Sequence, residues 1–194
     1  PLLELLRTDV TESIVGSNWA LALSRVKVTP MTRINGEWKK IPLSKPSDMK
    51  EIYFAAIVGA ETEKELEAKS EAVKRIVEEA QKKGYKVEIQ EMPEKEKSAR
   101  MDLPSVIPMG YMDHREGGGL CWAGSYMPMH KMPEAYKKSY KIMVDYGFSP
   151  TIIMGAIDYA HYGTFRTIVP FNKGDPKEIE KTRLFIDLED KTLC

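Results

Sequence analysis

The sequence has no surplus charge: 29 lysines and arginines are matched by 29 aspartates and glutamates. A duplex nucleic-acid binder normally shows a basic excess, so that class is set aside. Cysteine is scarce, with Cys121 and Cys194 alone, which excludes a disulfide framework and points to a reducing compartment, the cytoplasm. No apolar run approaches the ~20 residues that cross a bilayer. The start, PLLELLRTD, lacks the basic segment of a secretory signal. Histidine is rarer than in most metal centres: there are three, and no two stand at the short spacing of a zinc-binding pair. Asp113, His114, Glu116 and His130 therefore read as loop residues, and no metal is expected. Ser125 has no nucleophile elbow around it. Cys121, beside Trp122, reads as a small apolar core residue.

What is present is a globular chain, 42% hydrophobic and 30% charged, long enough for one domain with a core. It begins at Pro1 and stops at Cys194 without a helix stop signal, which suggests a piece of a longer polypeptide or one subunit of an assembly.

Residues 1–8 have a leucine-rich helical pattern, whereas 13–29 fit helix or strand equally. Residues 30–48 hold three prolines and an Asn-Gly pair, the mark of a hairpin or long loop. Glu51 to Val58 reads as a strand, and Thr62 with Glu65 forms a capping box for a helix. Its apolar positions Leu66, Val73, Ile76, Val77 and Ala80 share one face, and Gly84 ends it. Tyr85 to Gln90 alternates like a half-exposed strand. A charged loop spans 91–111, and Leu120 to Tyr126 follows as a strand. A helix opens near Pro133 and closes at Gly147, with Tyr136, Ser139, Tyr140, Met143 and Val144 on one face. Strands are expected over 151–159 and 162–171, then a last helix opened by Asp175, Pro176 and Glu178. This order predicts an α+β domain: an antiparallel sheet with helices on one face, built from ferredoxin-like split βαβ units.

The stretch HREGGGLCWAGSYMPMH at 114–130 needs its own reading. A phosphate loop spaces its glycines between a strand and a helix, so that backbone N–H groups converge. Here the glycines are consecutive, lead into a strand, and no Lys-Ser/Thr follows. They read as an entry to a strand or as a close backbone approach. Trp122, Tyr126, Tyr159, Tyr162, Phe165 and Phe171 fall on the predicted sheet elements. Such aromatics are core, or one face of them walls a pocket for a flat ligand.

From about residue 115 onward the chain resembles the cap, or substrate, domain of FAD-linked oxidases of the vanillyl-alcohol oxidase and p-cresol methylhydroxylase type. Four short motifs carry the resemblance. The first is Gly117-Gly118-Gly119 leading to Cys121-Trp122-Ala123 and Pro128. The others are Asp145-Tyr146-Gly147-Phe148, Ile152 to Ile157, and Ile168-Val169-Pro170-Phe171-Asn172 before Asp175-Pro176. Residues 13–29 are similar to an early cap segment more loosely.

The resemblance implies a single cap domain over 1–194, without the FAD-binding domain. It implies oxidation of an alcohol, phenol or 2-hydroxy acid by hydride transfer to flavin, with acid-base groups supplied from outside the cap. A flavin-binding domain or subunit and a small-molecule substrate would be its partners, association into homo-oligomers is compatible with it, and this chain alone would be inactive. Trp122, His161, Tyr162, Phe165 and Arg166 would line the substrate side, Arg166 as the anion partner. Gly118, Gly119, Thr164 and Phe171 would lie toward the cofactor.

Members that tether flavin covalently use a cap histidine or tyrosine, and those places fall near Thr164 or Phe165 and near Phe171. None of these side chains makes the link, so non-covalent FAD is implied; His161 is the one nearby residue able to reverse this. Of the metal motif in the hydroxy-acid dehydrogenase branch, only His161 and Gly163 remain. The competing expectation is a non-enzymatic α+β binding or assembly module. A self-contained enzyme is disfavoured, because no complete catalytic constellation is visible.

Overall fold

In the computed structural model, residues 4–5, 8, 10–11, 13–26, 31–34, 37–40, 43–90, 119–157 and 161–193 are described. The chain divides into two units, one of residues 1–14, 55–107 and 158–160, the other of 15–54, 108–157 and 161–194. In chain order the elements are β1 (Ser13–Asn18), α1 (Trp19–Val26), β2 (Met31–Ile34), β3 (Glu37–Lys40), β4 (Ile52–Ile57) and α2 (Glu63–Lys82). Then come β5 (Gly119–Pro128), α3 (Met132–Asp145), β6 (Thr151–Ile157), β7 (Tyr162–Phe171) and α4 (Pro176–Leu193). A short 3-10 turn over Met129–Lys131 leads into α3.

The first unit is organised around α2. The Glu65 amide donates to Thr62 Oγ1 at 3.2 Å, as the capping box requires, while the Glu65 carboxylate accepts from the Glu61 amide at 3.0 Å. Gly84 has φ +87, and the amides of Gly84 and Tyr85 donate to the carbonyls of Gln81 and Ala80. That is a Schellman ending, which needs a residue free to take positive φ. Ile76, Val77 and Ala80 form the buried stripe of α2, and Ile76 packs with Leu5, Ile14 and Val73. The strand expected over 85–90 does not form. Tyr85 and Ile89 are 58% and 49% exposed, and no strand pairs with the segment among the described residues. Alternation makes a strand only where a neighbouring ladder takes the backbone groups.

The second unit holds most of a five-stranded sheet ordered β4-β1-β6-β7-β5. β1 with β6, β6 with β7, and β7 with β5 are all antiparallel. β5, α3 and β6 form a split βαβ unit, with β7 inserted between the two strands that α3 connects. The α+β class and the antiparallel sheet expected from the sequence are present. The region 30–48 contains the β2–β3 hairpin, in register from Met31↔Lys40 to Ile34↔Glu37.

The ambiguous segment 13–29 resolves at Asn18 into a strand followed by a helix. Asn18 is fully buried. Its side-chain oxygen accepts from the Leu21 amide at 3.3 Å, which caps α1, and from the Ile152 amide at 3.1 Å, which starts β6. Its amide donates to the Pro150 carbonyl at 2.5 Å. α3 ends in a second Schellman turn, with Gly147 at φ +69 and the amides of Gly147 and Phe148 donating to Val144 and Met143 carbonyls. On α4, the Lys177 amide donates to Asp175 at 2.9 Å, and Glu178 reaches back to accept from the Asn172 amide at 2.7 Å.

α3 and α4 cover one face of the sheet, where Met143, Phe148, Ile152, Phe165, Val169 and Phe185 form the main core. Burying each such side chain contributes about 1.5–3 kcal/mol. One polar group interrupts this layer. Glu189 of α4 is fully buried, and neither carboxylate oxygen has a hydrogen-bond partner among the described residues. Burial pushes its pKa up from the usual 4.5, and the nearby Asp190 carboxylate pushes it the same way.

Two outcomes are expected. Asn18→Ala removes a helix cap worth ~1 kcal/mol and strands two buried groups at ~1–3 kcal/mol each. A loss of about 3 kcal/mol in urea unfolding is the expected size; an unchanged midpoint would show that Asn18 holds nothing. The native Glu189 binds its proton more tightly than the unfolded chain does. Its contribution is therefore intact below about pH 4.5 and is lost as pH rises through the raised native value. Glu189→Gln should flatten that fall in stability, measured by thermal melts across pH.

Candidate functional site

Side chains alternate along a strand, so the unbroken register of β5 with β7 assigns every residue to a face. The register runs from Gly119↔Phe171 to Pro128↔Tyr162 in ten consecutive pairs. Odd-numbered residues turn toward the helices: Ala123 and Met127 from β5, Phe165, Thr167 and Val169 from β7 are all buried. Even-numbered residues take the opposite face, which carries Trp122, Gly124 and Tyr126 beside Tyr162, Thr164 and Arg166. The β6 register adds Ile153, Gly155 and Ile157 to that face. Trp122, Tyr126 and Tyr162 are 52%, 69% and 54% exposed. A row of exposed aromatics on one sheet face is the kind of surface that receives a ligand or another protein layer.

Two glycines shape this face. A Cβ on Gly124 would stand 2.8 Å from Arg166 Cγ, so the arginine stem lies flat across the strand there. Its guanidinium carbon comes to rest 5.5 Å from the centre of the Trp122 ring, a cation–π arrangement worth about 0.5–1 kcal/mol when exposed. A Cβ on Gly155 would stand 3.0 Å from Thr164 Oγ1, which donates to the Gly155 carbonyl at 3.4 Å. A groove of about 320 Å³ follows, bounded by Trp122, Tyr126, Thr164 and Arg166 on this side and by Ile186 and Asp190 of α4 on the other. Among the described residues, Arg166 meets no carboxylate and Asp190 no cation within ion-pair distance.

Of the residues singled out from the sequence, Trp122, Tyr162, Thr164 and Arg166 share this face. Phe165 does not: it is fully buried in the core under α3 and α4, because it is an odd-numbered member of β7. His161 is exposed in the turn before β7 and stands outside the ladder. Gly119 is buried where a Cβ would meet the Phe171 carbonyl oxygen at 2.5 Å and its ring at 2.9 Å. The two residues fill each other's space on the helix side of the sheet, away from Thr164. Gly118 lies outside the described residues, as do His114 and the charged loop over 91–111. Of Gly124, Tyr126 and Asp190, the sequence singled out only Tyr126, as one of the sheet aromatics that are core or wall a pocket. Counting by two from Trp122 finds the first two; Asp190 reaches the groove only through the packing of α4.

No family model matches the chain, and no curated protein matches it. Among solved structures, the crystal structure of p-cresol methylhydroxylase with substrate bound matches with a TM-score of 0.65 at 16% sequence identity. The match covers 97% of this chain and 39% of that one, so this chain spans well under half the length of the protein whose fold it shares. At this identity the likeness is one of fold. It agrees with the α+β architecture.

The face assignment predicts unequal costs for two aromatic truncations. Phe165→Ala should destabilise the protein by about 3–5 kcal/mol, as for a buried aromatic. Trp122→Ala, at a half-exposed site, should cost under about 1 kcal/mol. Urea midpoints of the two variants measure this, and a reversed order would invert the two faces.

Proposed function

We propose that this chain is the cap, or substrate-side, part of an FAD-dependent oxidoreductase acting on an alcohol, phenol or 2-hydroxy acid. The observation that carries the reading is the fold likeness to p-cresol methylhydroxylase over 97% of the chain. The aromatic face with Arg166 supports it, since a flat wall with one cation suits a flat substrate bearing a phenolate or carboxylate. When bound, FAD would supply the hydride acceptor. Among the described residues, those present fit a wall over such a group and not a phosphate cradle, because Phe171 already occupies the close approach at Gly119. FAD would therefore be held, without a covalent link, mainly by a domain or subunit outside these residues.

Each side chain then has a limited task. Trp122, Tyr126 and Tyr162 exclude water and fix the plane of the substrate. Arg166, held over Gly124 and against Trp122, presents its N–H groups to the substrate anion. The Thr164 hydroxyl supplies one further polar contact. His161 stands at the rim and Phe165 supports Thr164 and Arg166 from beneath, within the core. The two cysteines favour the cytoplasm as the setting, and among the described residues no helix is long and apolar enough to cross a membrane.

The test is reconstitution. Chain 1–194 alone should retain no flavin after dialysis against FAD and should turn over none of the three substrate classes. Joined with the flavin-binding part encoded by the same source, it should oxidise one of them. Arg166→Gln should then lower kcat/KM for the anionic substrate by roughly tenfold to hundredfold, the loss of one charged hydrogen bond. Stoichiometric FAD on the isolated chain would overturn this account of where the cofactor sits.

A further inference from the structure

β5 closes the sheet order, and among the described residues nothing pairs with its outer side. Every second residue of such a strand turns its N–H and C=O outward. Natural edges are usually short, charged or bulged, which discourages pairing. β5 has ten residues, GLCWAGSYMP, with no charged side chain and no bulge in its register; only Pro128 at its end fits the usual protection.

Three observations say what suits this edge. The groove is lined by five consecutive β5 residues, Trp122 to Tyr126, so it follows the strand. Its flanks differ: exposed Trp122 and Tyr126 rings stand on one side, Ile186 and Asp190 on the other. Arg166 is turned along the sheet face over Gly124 and against Trp122, so the exposed Asp190 carboxylate leaves that flank of the groove negative and complementary to a basic side chain. Topology gives the third. β5-α3-β6-β7-α4 follows the first five elements of a ferredoxin-like βαββαβ unit, in which the last strand pairs antiparallel with the first. That position is the outer edge of β5.

We infer that this edge accepts an extended segment of a partner protein, added antiparallel to β5 as a further strand. One apolar side chain of the segment lies between the Trp122 and Tyr126 rings, and the next residue, a lysine or arginine, turns to the other face and meets Asp190. Main-chain hydrogen bonds supply the affinity and the alternate side chains the selectivity, as in other strand-addition sites. This does not rest on the flavoenzyme reading.

The probe is a fluorescently labelled, end-blocked peptide of sequence TVTVKVTV, titrated against the whole chain by anisotropy. Saturable binding is expected, with β5 amides gaining protection from hydrogen exchange. Asp190→Asn should weaken it about threefold to fivefold, the size of a partly exposed ion pair, and replacing the probe lysine by glutamate should weaken it further. Two probes N-methylated on alternate residues separate strand addition from adhesion to the aromatics: one set of methyl groups should abolish binding and the other leave it. The inference fails if both methylated probes bind equally, if Asp190→Asn changes nothing, or if the probe does not bind. It also fails if every β5 amide is already protected in the free chain, which would mean that the chain fills the edge itself.

Discussion

The second unit depends on one buried asparagine. Asn18 stands where β1 turns into α1, and its side chain also holds the backbone on both sides of the entry to β6. A strand end, a helix start and a neighbouring strand are thereby tied at a single side chain. An aspartate would lose the donor to Pro150 and bring a buried charge, and a serine is too short to reach the three partners. With β6 placed by Asn18, β7 is placed by β6, and β5 by β7. The aromatic face at the far edge therefore inherits its position from a polar contact three strands away.

Once the register is set, parity does the rest. Phe165 and Arg166 are adjacent in sequence and have opposite fates: one is sealed beneath α3 and α4, the other lies on the aromatic face. Gly124 completes the arrangement by leaving the arginine stem room to lie flat. This is an orientation that the arginine could not choose freely on a strand whose opposite residue carried a side chain.

The readable parts of the sequence were those whose physics is local. Helix ends at Thr62, Gly84, Gly147 and Asp175 are decided by one or two hydrogen bonds within a few residues, and each forms where its residues indicate. The strands expected over 151–159 and 162–171 form over Thr151–Ile157 and Tyr162–Phe171, with 158–159 outside the described residues. Residues 85–90 misled because alternation describes a strand's surface and says nothing of whether a neighbour exists. The site was half legible for the same reason. Trp122, Tyr162, Thr164 and Arg166 could be named from their types and positions, but the parity that removes Phe165 from their company is fixed by long-range pairing. Asp190 arrives from α4, 24 residues beyond Arg166 and 68 beyond Trp122, and carries no local sign at all.

The inserted position of β7 also bears on the order of assembly. β5 and β6 are linked through α3 but cannot touch, and the strand that belongs between them comes later in the chain. During synthesis β5 therefore leaves the ribosome before its ladder partner exists, as an uncharged ten-residue stretch carrying Trp122 and Tyr126. Closing that pair requires ends that are distant in sequence to meet, which is slow relative to helix formation. α3, with its own Schellman stop, can form in the interval and give β6 and β7 a surface on which to gather. The nascent chain thus passes through a period in which an uncharged strand bearing two aromatic rings has no ladder partner, the condition under which chains of this kind aggregate most readily.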